Sequence, residues 1–197
     1  QLSGVAPRVE NYLGDRSDAE VVDELIASTP WVLRDLSVSF QDWKERVLEQ
    51  DVASIDIVIV GSGAVGFSMS PLKLGRPFRE SSRNRPSDID LALVAPDLFA
   101  ECWECFREFE RRRRLRMDYA DKRRMREHVY FGHVTDKTLP RDTSPSRSIL
   151  QIRSAAGRQT ELRGHPVNIR VYRNRTDLRD YQLQSLRSLR RALREAT

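Results

Sequence analysis

Two short stretches decide the fold of this chain: Ile55–Val60, with the sequence IDIVIV, and Asp88–Val94, with the sequence DIDLALV. Both are rich in branched apolar residues, both are short for a helix, and glycines follow the first at once. Runs of this kind are typical of buried strands. Residues 61–87 join them and hold four glycines and three prolines, so we expect a long loop with at most one turn of helix.

Helices are predicted on both sides of these strands, because apolar residues recur there at helical spacing. The predicted helices span residues 18–29, 38–50, 96–114, 118–130 and 176–196. Thr160–Arg163 and Val167–Tyr172 flank a Gly-His-Pro turn and predict a β-hairpin, whereas Pro140–Pro145 is typical of an exposed loop. The chain therefore predicts a protein of helices and strands in which residues 1–53 form an acidic helical segment.

Length and composition favour a single domain that does not span a membrane. The chain has 197 residues, and no stretch approaches the ~20 apolar residues that a transmembrane helix needs. Its first residues lack the basic and apolar segments of a secretory signal. We therefore expect a cytoplasmic protein that does not bind membranes.

Cysteine and histidine do not predict a metal centre. Cys102 and Cys105 have Cys-x-x-Cys spacing, but no second pair and no clustered histidines complete a zinc shell. Both lie among aromatic residues at helical spacing, so we interpret them as packing residues of a buried helix face. His128, His133 and His165 are scattered and are interpreted as surface or packing residues.

Positive charge is concentrated in the second half of the chain. The net charge is +5, yet residues 1–53 carry 5 basic and 11 acidic side chains, whereas residues 107–126 carry 10 and 4. Arginines that grip phosphate favour RNA or DNA as a partner, although a codon bias towards arginine gives the same skew. The candidate contact residues are Arg111, Arg112, Arg113 and Arg114, with Tyr119, Tyr130 and Phe131 as stacking faces. The alternative is a solvated helix end.

Gly61-Ser-Gly63-Ala-Val-Gly66 follows the first strand and fits the G-x-G-x-x-G pattern of dinucleotide-binding proteins. That pattern must open a helix of several turns inside a βαβ unit. Here Pro71, Gly75 and Pro77 follow too closely for such a helix. The sequence therefore does not favour a Rossmann unit.

Asp88 and Asp90 open the second strand, and they point to a metal. Side chains alternate along a strand, so both carboxylates project from one face, about 7 Å apart. Two oxygen ligands so placed can share a hard divalent cation that neutralises nucleotide phosphates. A neighbouring Gly61-Ser62 turn can offer N–H groups and a hydroxyl to the same phosphates.

These residues resemble the nucleotidyltransferase superfamily with the polymerase-β-like fold. Its signature is an apolar strand ending in Gly-Ser, then Asp-x-Asp on the next strand, then a third carboxylate on a later strand. The resemblance implies an α/β (α+β) fold with a small mixed sheet flanked by helices, formed here by residues 54–197. It also implies Mg²⁺ or Mn²⁺ at Asp88 and Asp90, and a nucleoside triphosphate at Gly61 and Ser62.

The chain departs from that signature in two places. The long insertion before Asp88 carries Lys73, Arg76 and Arg79, with Arg83 and Arg85, either as a triphosphate clamp or as solvated loop residues. The segment that fits the third acidic strand is Val167–Val171, where Asn168 stands in the place of the acid. An amide is uncharged and a poor base, so the site loses a metal ligand or a proton acceptor, for which Glu161 is the nearest substitute.

Two functions follow from the resemblance. The first is a magnesium-dependent nucleotidyltransferase that moves a nucleotidyl group from a nucleoside triphosphate to a nucleic acid, a nucleotide or a protein. Its small size favours a stand-alone enzyme of the bacterial antiviral-defence or toxin–antitoxin kind. The second is a catalytically degenerate relative that senses nucleotides or binds RNA.

Overall fold

The computed structural model describes residues 6–35, 38–48, 54–79, 86–112 and 118–195. Within them, four strands form one sheet in the order β1-β2-β4-β3. The strands are β1 (Asp56–Val60), β2 (Ile89–Val94), β3 (His133–Thr135) and β4 (Val167–Tyr172). β2 runs antiparallel to β1 and parallel to β4, and β3 runs antiparallel to β4. The small mixed sheet expected for an α+β fold is confirmed.

Helices cover both faces of this sheet. They are α1 (Ala6–Leu13), α2 (Asp18–Ala27), α3 (Phe40–Leu48), α4 (Ser62–Val65), α5 (Pro96–Arg111), α6 (Tyr119–Tyr130), α7 (Ser144–Arg158) and α8 (Arg175–Glu195). Ser17 caps α2 in a reciprocal capping box with Glu20, which satisfies free N–H groups of its first turn. None of the described helices is long and apolar enough to cross a membrane.

The alternation of side chains along the strands divides the core in two. Ile57, Leu91 and Ile169 point to one face, where Trp43 of α3, Phe106 of α5 and Ile149 of α7 pack against them. Val58, Ala92 and Tyr172 point to the other face, against α1, α2 and α8. Arg190 and Arg179 of α8 pair with Asp18 and Asp23 of α2, so the acidic segment packs beside basic α8.

Two predictions about the second half were wrong. Thr160–Leu162 forms a 3₁₀ turn and no hairpin arm, because both edges of β4 are already paired, with β2 and β3. Pro145 is buried in the first turn of α7, where Thr143 caps the helix, so the exposed loop ends earlier than Pro145. Proline is favoured at this position because a first-turn N–H has no helical partner.

Candidate functional site

One cleft opens over the sheet face that carries Asp90. It lies between the ends of β1 and β2, the loop after α4, and helices α2 and α8, with a volume of about 1030 Å³. Predicted site residues that line it are Gly61, Ser62, Lys73, Arg76, Arg79, Asp88 and Asp90. The fold therefore brings the Gly-Ser turn, the two aspartates and the loop cations into one space.

The strand register explains why Asp90 lies at the centre of the site. Asp90 pairs with Val60 of β1 on one side and with Asn168 of β4 on the other. The Gly-Ser turn therefore begins next to Asp90. Gly61 has a φ of +67°, and a Cβ built there would lie 3.1 Å from Asp90 Oδ2. A side chain at position 61 would thus crowd the carboxylate as well as strain the turn.

Asn168 joins the two aspartates. Its Nδ2 donates a hydrogen bond of 3.1 Å to Asp90 Oδ1 and lies 3.4 Å from Asp88 Oδ2. A rotation of the amide by 180° would present its oxygen to the same space. The structure thus places the neutral residue against both carboxylates, at the position that the resemblance gives to a third acid.

Negative charge at this point is only partly compensated. Burial raises the pKa of the Asp90 carboxyl, and the Asn168 hydrogen bond and the charges of Arg170 and Lys137 oppose the rise. No cationic side chain of the described chain lies within ion-pair distance of Asp88 or Asp90. Carboxylate and amide oxygens are the donor types that hard divalent cations take. A cluster of three or more acidic, histidine or cysteine ligands does not occur in the parts of the chain that the structure describes.

Positive charge lines the wall of the cleft on the loop side. Lys73 and Arg76 are exposed, Arg79 is half-buried, and all three border the space that Asp88 and Asp90 also border. Backbone bonds shape this loop: Phe78 N–H donates to Gly66 O, and Arg79 N–H donates to Ser87 Oγ. The predicted insertion is therefore an ordered wall over residues 66–79, and its arginines Arg83 and Arg85 lie outside the described residues.

Arg170 also lines the cleft, although it is not among the predicted site residues. Its guanidinium lies 4.4 Å from the centre of the Tyr181 ring, and Nη1 donates to the Tyr172 hydroxyl at 3.3 Å. Its Nε is buried and has no hydrogen-bond partner among the residues that the structure describes. The signal was available, because Arg170 follows Asn168 by two residues and so shares its strand face.

Other candidates lie apart from the cleft lining. Glu161, the proposed substitute acid, is nearly buried and pairs with Arg46 at 3.0 Å. Arg111 and Arg112 lie at the exposed end of α5, where Arg112 pairs with Glu108; Arg113 and Arg114 lie outside the described residues.

Packing explains Cys102, as expected for a residue on a buried helix face. Cys102 is buried, and burial raises the pKa of its thiol to about 12. A thiol of that pKa is protonated at neutral pH and is a poor metal ligand or nucleophile. Cys105 is only partly buried, and burial raises its pKa as well.

Comparison of the chain with family models, with curated proteins and with solved structures gives no match. The chemistry of the cleft is therefore the evidence for its function.

Proposed function

We propose that this chain is a magnesium-dependent nucleotidyltransferase that holds a nucleoside triphosphate in the cleft. One observation carries the proposal: a carboxylate pair and a wall of basic side chains face a common space of nucleotide size. A triphosphate needs both, since its charge requires cations and the metal that accompanies it requires oxygen ligands.

The residues divide into two roles. Asp88 and Asp90, with the amide oxygen of Asn168, would hold one Mg²⁺ or Mn²⁺, which neutralises phosphate charge when bound. Lys73, Arg76 and Arg79 would contact the outer phosphates, because guanidinium groups bind phosphate oxygens in pairs. Ser62 begins α4 beside Asp90, and its hydroxyl would donate a hydrogen bond to the same phosphates.

Transfer requires an acceptor hydroxyl to attack the α-phosphate while pyrophosphate leaves. The acceptor proton must pass to a base, and the Asn168 amide is too weak a base to take it. This observation supports a second candidate function, in which the cleft binds a nucleotide without transferring it and the chain acts as a nucleotide sensor or RNA-binding protein. A single question separates the two candidates: does the bound triphosphate release pyrophosphate?

Calorimetry with ATP, GTP, CTP and UTP tests the binding step, and release of labelled pyrophosphate tests transfer. We expect triphosphate affinity to fall at least about tenfold in Asp88→Ala and Asp90→Asn and on chelation of the metal. Asp35→Ala, which removes an exposed carboxylate elsewhere, should leave it unchanged. Equal affinity in all of these conditions would contradict the metal site. Binding without pyrophosphate release, across nucleic-acid, nucleotide and protein acceptors, would select the sensor.

A further inference from the structure

Helix α6 carries a row of aromatic and basic side chains on its outer side. Tyr119, Arg123, Arg126 and Tyr130 follow one another at intervals of four, three and four residues. At 3.6 residues per turn they fall within about 60° of the helix circumference and form one stripe. Both tyrosines are 81% exposed, which is unusual for side chains of their size.

The packing of α6 fixes this orientation. Met125 and Val129, about 90–130° around the helix from the stripe, contact the core. The His128 ring, half a turn away from the stripe, lies 4.6 Å from the ring of buried His133 in β3. The stripe of Tyr119, Arg123, Arg126 and Tyr130 therefore faces solvent.

Charge around the stripe is positive. Arg123 pairs with Glu127 at 2.9 Å, whereas Arg126 makes no ion pair with any residue that the structure describes. Helix α6 itself carries four basic and two acidic side chains. Phe131, 50% exposed, adds a third ring in edge-to-face contact with Tyr130 at 5.3 Å.

We propose that this stripe binds single-stranded nucleic acid. Unpaired bases stack on exposed aromatic rings, and arginines between the rings neutralise the phosphates that join those bases. The two tyrosines are eleven residues apart, about 16 Å along the helix axis, which is the length of a few extended nucleotides. A duplex hides its base faces and cannot use the rings. The stripe is separate from the cleft, and the proposal does not rest on the proposed function.

Fluorescence anisotropy with labelled 12-nucleotide RNA and DNA single strands, and with a 12-base-pair duplex, tests the proposal. We expect both single strands to bind more tightly than the duplex, and the double variant Tyr119→Ala/Tyr130→Ala to lose at least about tenfold in affinity. Tyr119→Phe/Tyr130→Phe keeps the rings and should retain binding. Arg126→Ala should lower the slope of log affinity against log salt by about 0.7, whereas Arg191→Ala, an exposed arginine of α8, should not.

Single-strand binding by the stripe can be tested separately from triphosphate binding in the cleft. Asp90→Asn should leave single-strand binding unchanged even where it abolishes triphosphate binding. Failure to bind any single strand at low salt would overturn the proposal, as would equal affinity in the double alanine variant. Tighter binding to the duplex would also overturn it, because it would indicate a phosphate contact without stacking.

Discussion

The side-chain amide of Asn168 donates a hydrogen bond of 3.1 Å to Asp90, directly across the parallel pairing of β4 with β2. A carboxylate at position 168 would instead repel both Asp90 and Asp88. The amide therefore reduces the negative charge that the apo site must accommodate, and it also reduces the charge available to a cation.

Asn168→Asp should tighten Mg²⁺ and Mn²⁺ binding by at least about tenfold, because a third carboxylate joins the same group of oxygens. If the chain transfers nucleotides, the rate should rise by up to about 10²–10⁴, the usual worth of a positioned base. Without metal, the variant should be less stable than the parent by about 1 kcal/mol, since a hydrogen bond becomes a repulsion.

Calorimetric metal titration measures the first effect, release of labelled pyrophosphate measures the transfer rate, and urea unfolding with and without Mg²⁺ measures the change in stability. Asn168→Ala is the matched control, because it removes the same hydrogen bonds without adding charge and should not tighten metal binding. Identical metal affinity in all three proteins would show that position 168 does not face the cation.

Arg170→Gln should weaken triphosphate binding by about tenfold, because it removes a cleft cation whose Nε has no hydrogen-bond partner in the described part of the chain. The triphosphate affinity of Arg170→Lys should lie between those of the parent and of Arg170→Gln, since lysine keeps the charge but loses the planar contact with Tyr181. Competition by inorganic triphosphate measures the effect on phosphate binding, and Arg191→Ala controls for net charge. Loss of stability with unchanged triphosphate affinity would instead assign Arg170 a purely structural role.

Local sequence pattern predicted the elements that build the centre of the site. β1 and β2 are short apolar runs next to turn-forming residues, and their composition permits little else. The pairing of the strands could not be predicted in this way. Asn168 contacts Asp90, 78 residues away in the chain, and no local pattern encodes that contact. The family resemblance predicted that the side chain at position 168 faces the two aspartates. The register of β4 against β2 explains why Asn168 contacts Asp90.

The wrong predictions concern segments where tertiary packing overrides the local sequence pattern. Gly-His-Pro predicted a hairpin turn, yet β4 is an interior strand whose edges are filled by β2 and β3. Prolines at 140 and 145 predicted a loop, yet Pro145 fits the first turn of a capped helix. Arg170 shares the strand face of Asn168, but its contacts with Tyr172 and with Tyr181 of α8 depend on tertiary packing that no local pattern encodes.

The free energy of unfolding should depend on His133 below neutral pH. Burial, then the charge of Arg170, then His128 lower the pKa of His133 to about 3, from 6.5 in the unfolded chain. Between these values the unfolded chain binds one more proton than the native protein, so stability falls as pH falls. Acidification from pH 6.5 to 5 should cost about 1.6 kcal/mol through this residue.

Urea unfolding of the parent and of His133→Phe at a series of pH values between 7 and 5 checks this expectation. Phenylalanine keeps a ring among Tyr172, Tyr181 and His128, and it does not titrate. The variant should lose less stability on acidification, with the remaining dependence due to groups such as His128, whose pKa is also lowered by burial. Parallel curves for the two proteins would show that His133 is protonated as easily when folded as when unfolded.

Gly66 should be the least replaceable glycine near the cleft. It ends α4 with a φ of +83°, and a Cβ there would lie 2.6 Å from Trp31 Cδ1. Its carbonyl accepts the N–H of Phe78, which holds the loop that carries Arg76 and Arg79. Gly66→Ala should therefore cost about 2–4 kcal/mol, from left-handed backbone strain and overpacking, and should weaken triphosphate binding as the loop shifts.

Gly157→Ala is the control for this substitution. Gly157 lies in α7, and an added Cβ would meet nothing within 4 Å. Alanine there should raise the free energy of unfolding by about 0.4–1 kcal/mol, since it restricts the unfolded chain and favours the helix. In urea unfolding, the midpoint of Gly66→Ala should be lower than that of the parent and the midpoint of Gly157→Ala should be higher. Triphosphate affinity should change only in Gly66→Ala. Equal stability of the two variants would show that Trp31 yields without cost, and would contradict the role of Gly66 in shaping the cleft wall.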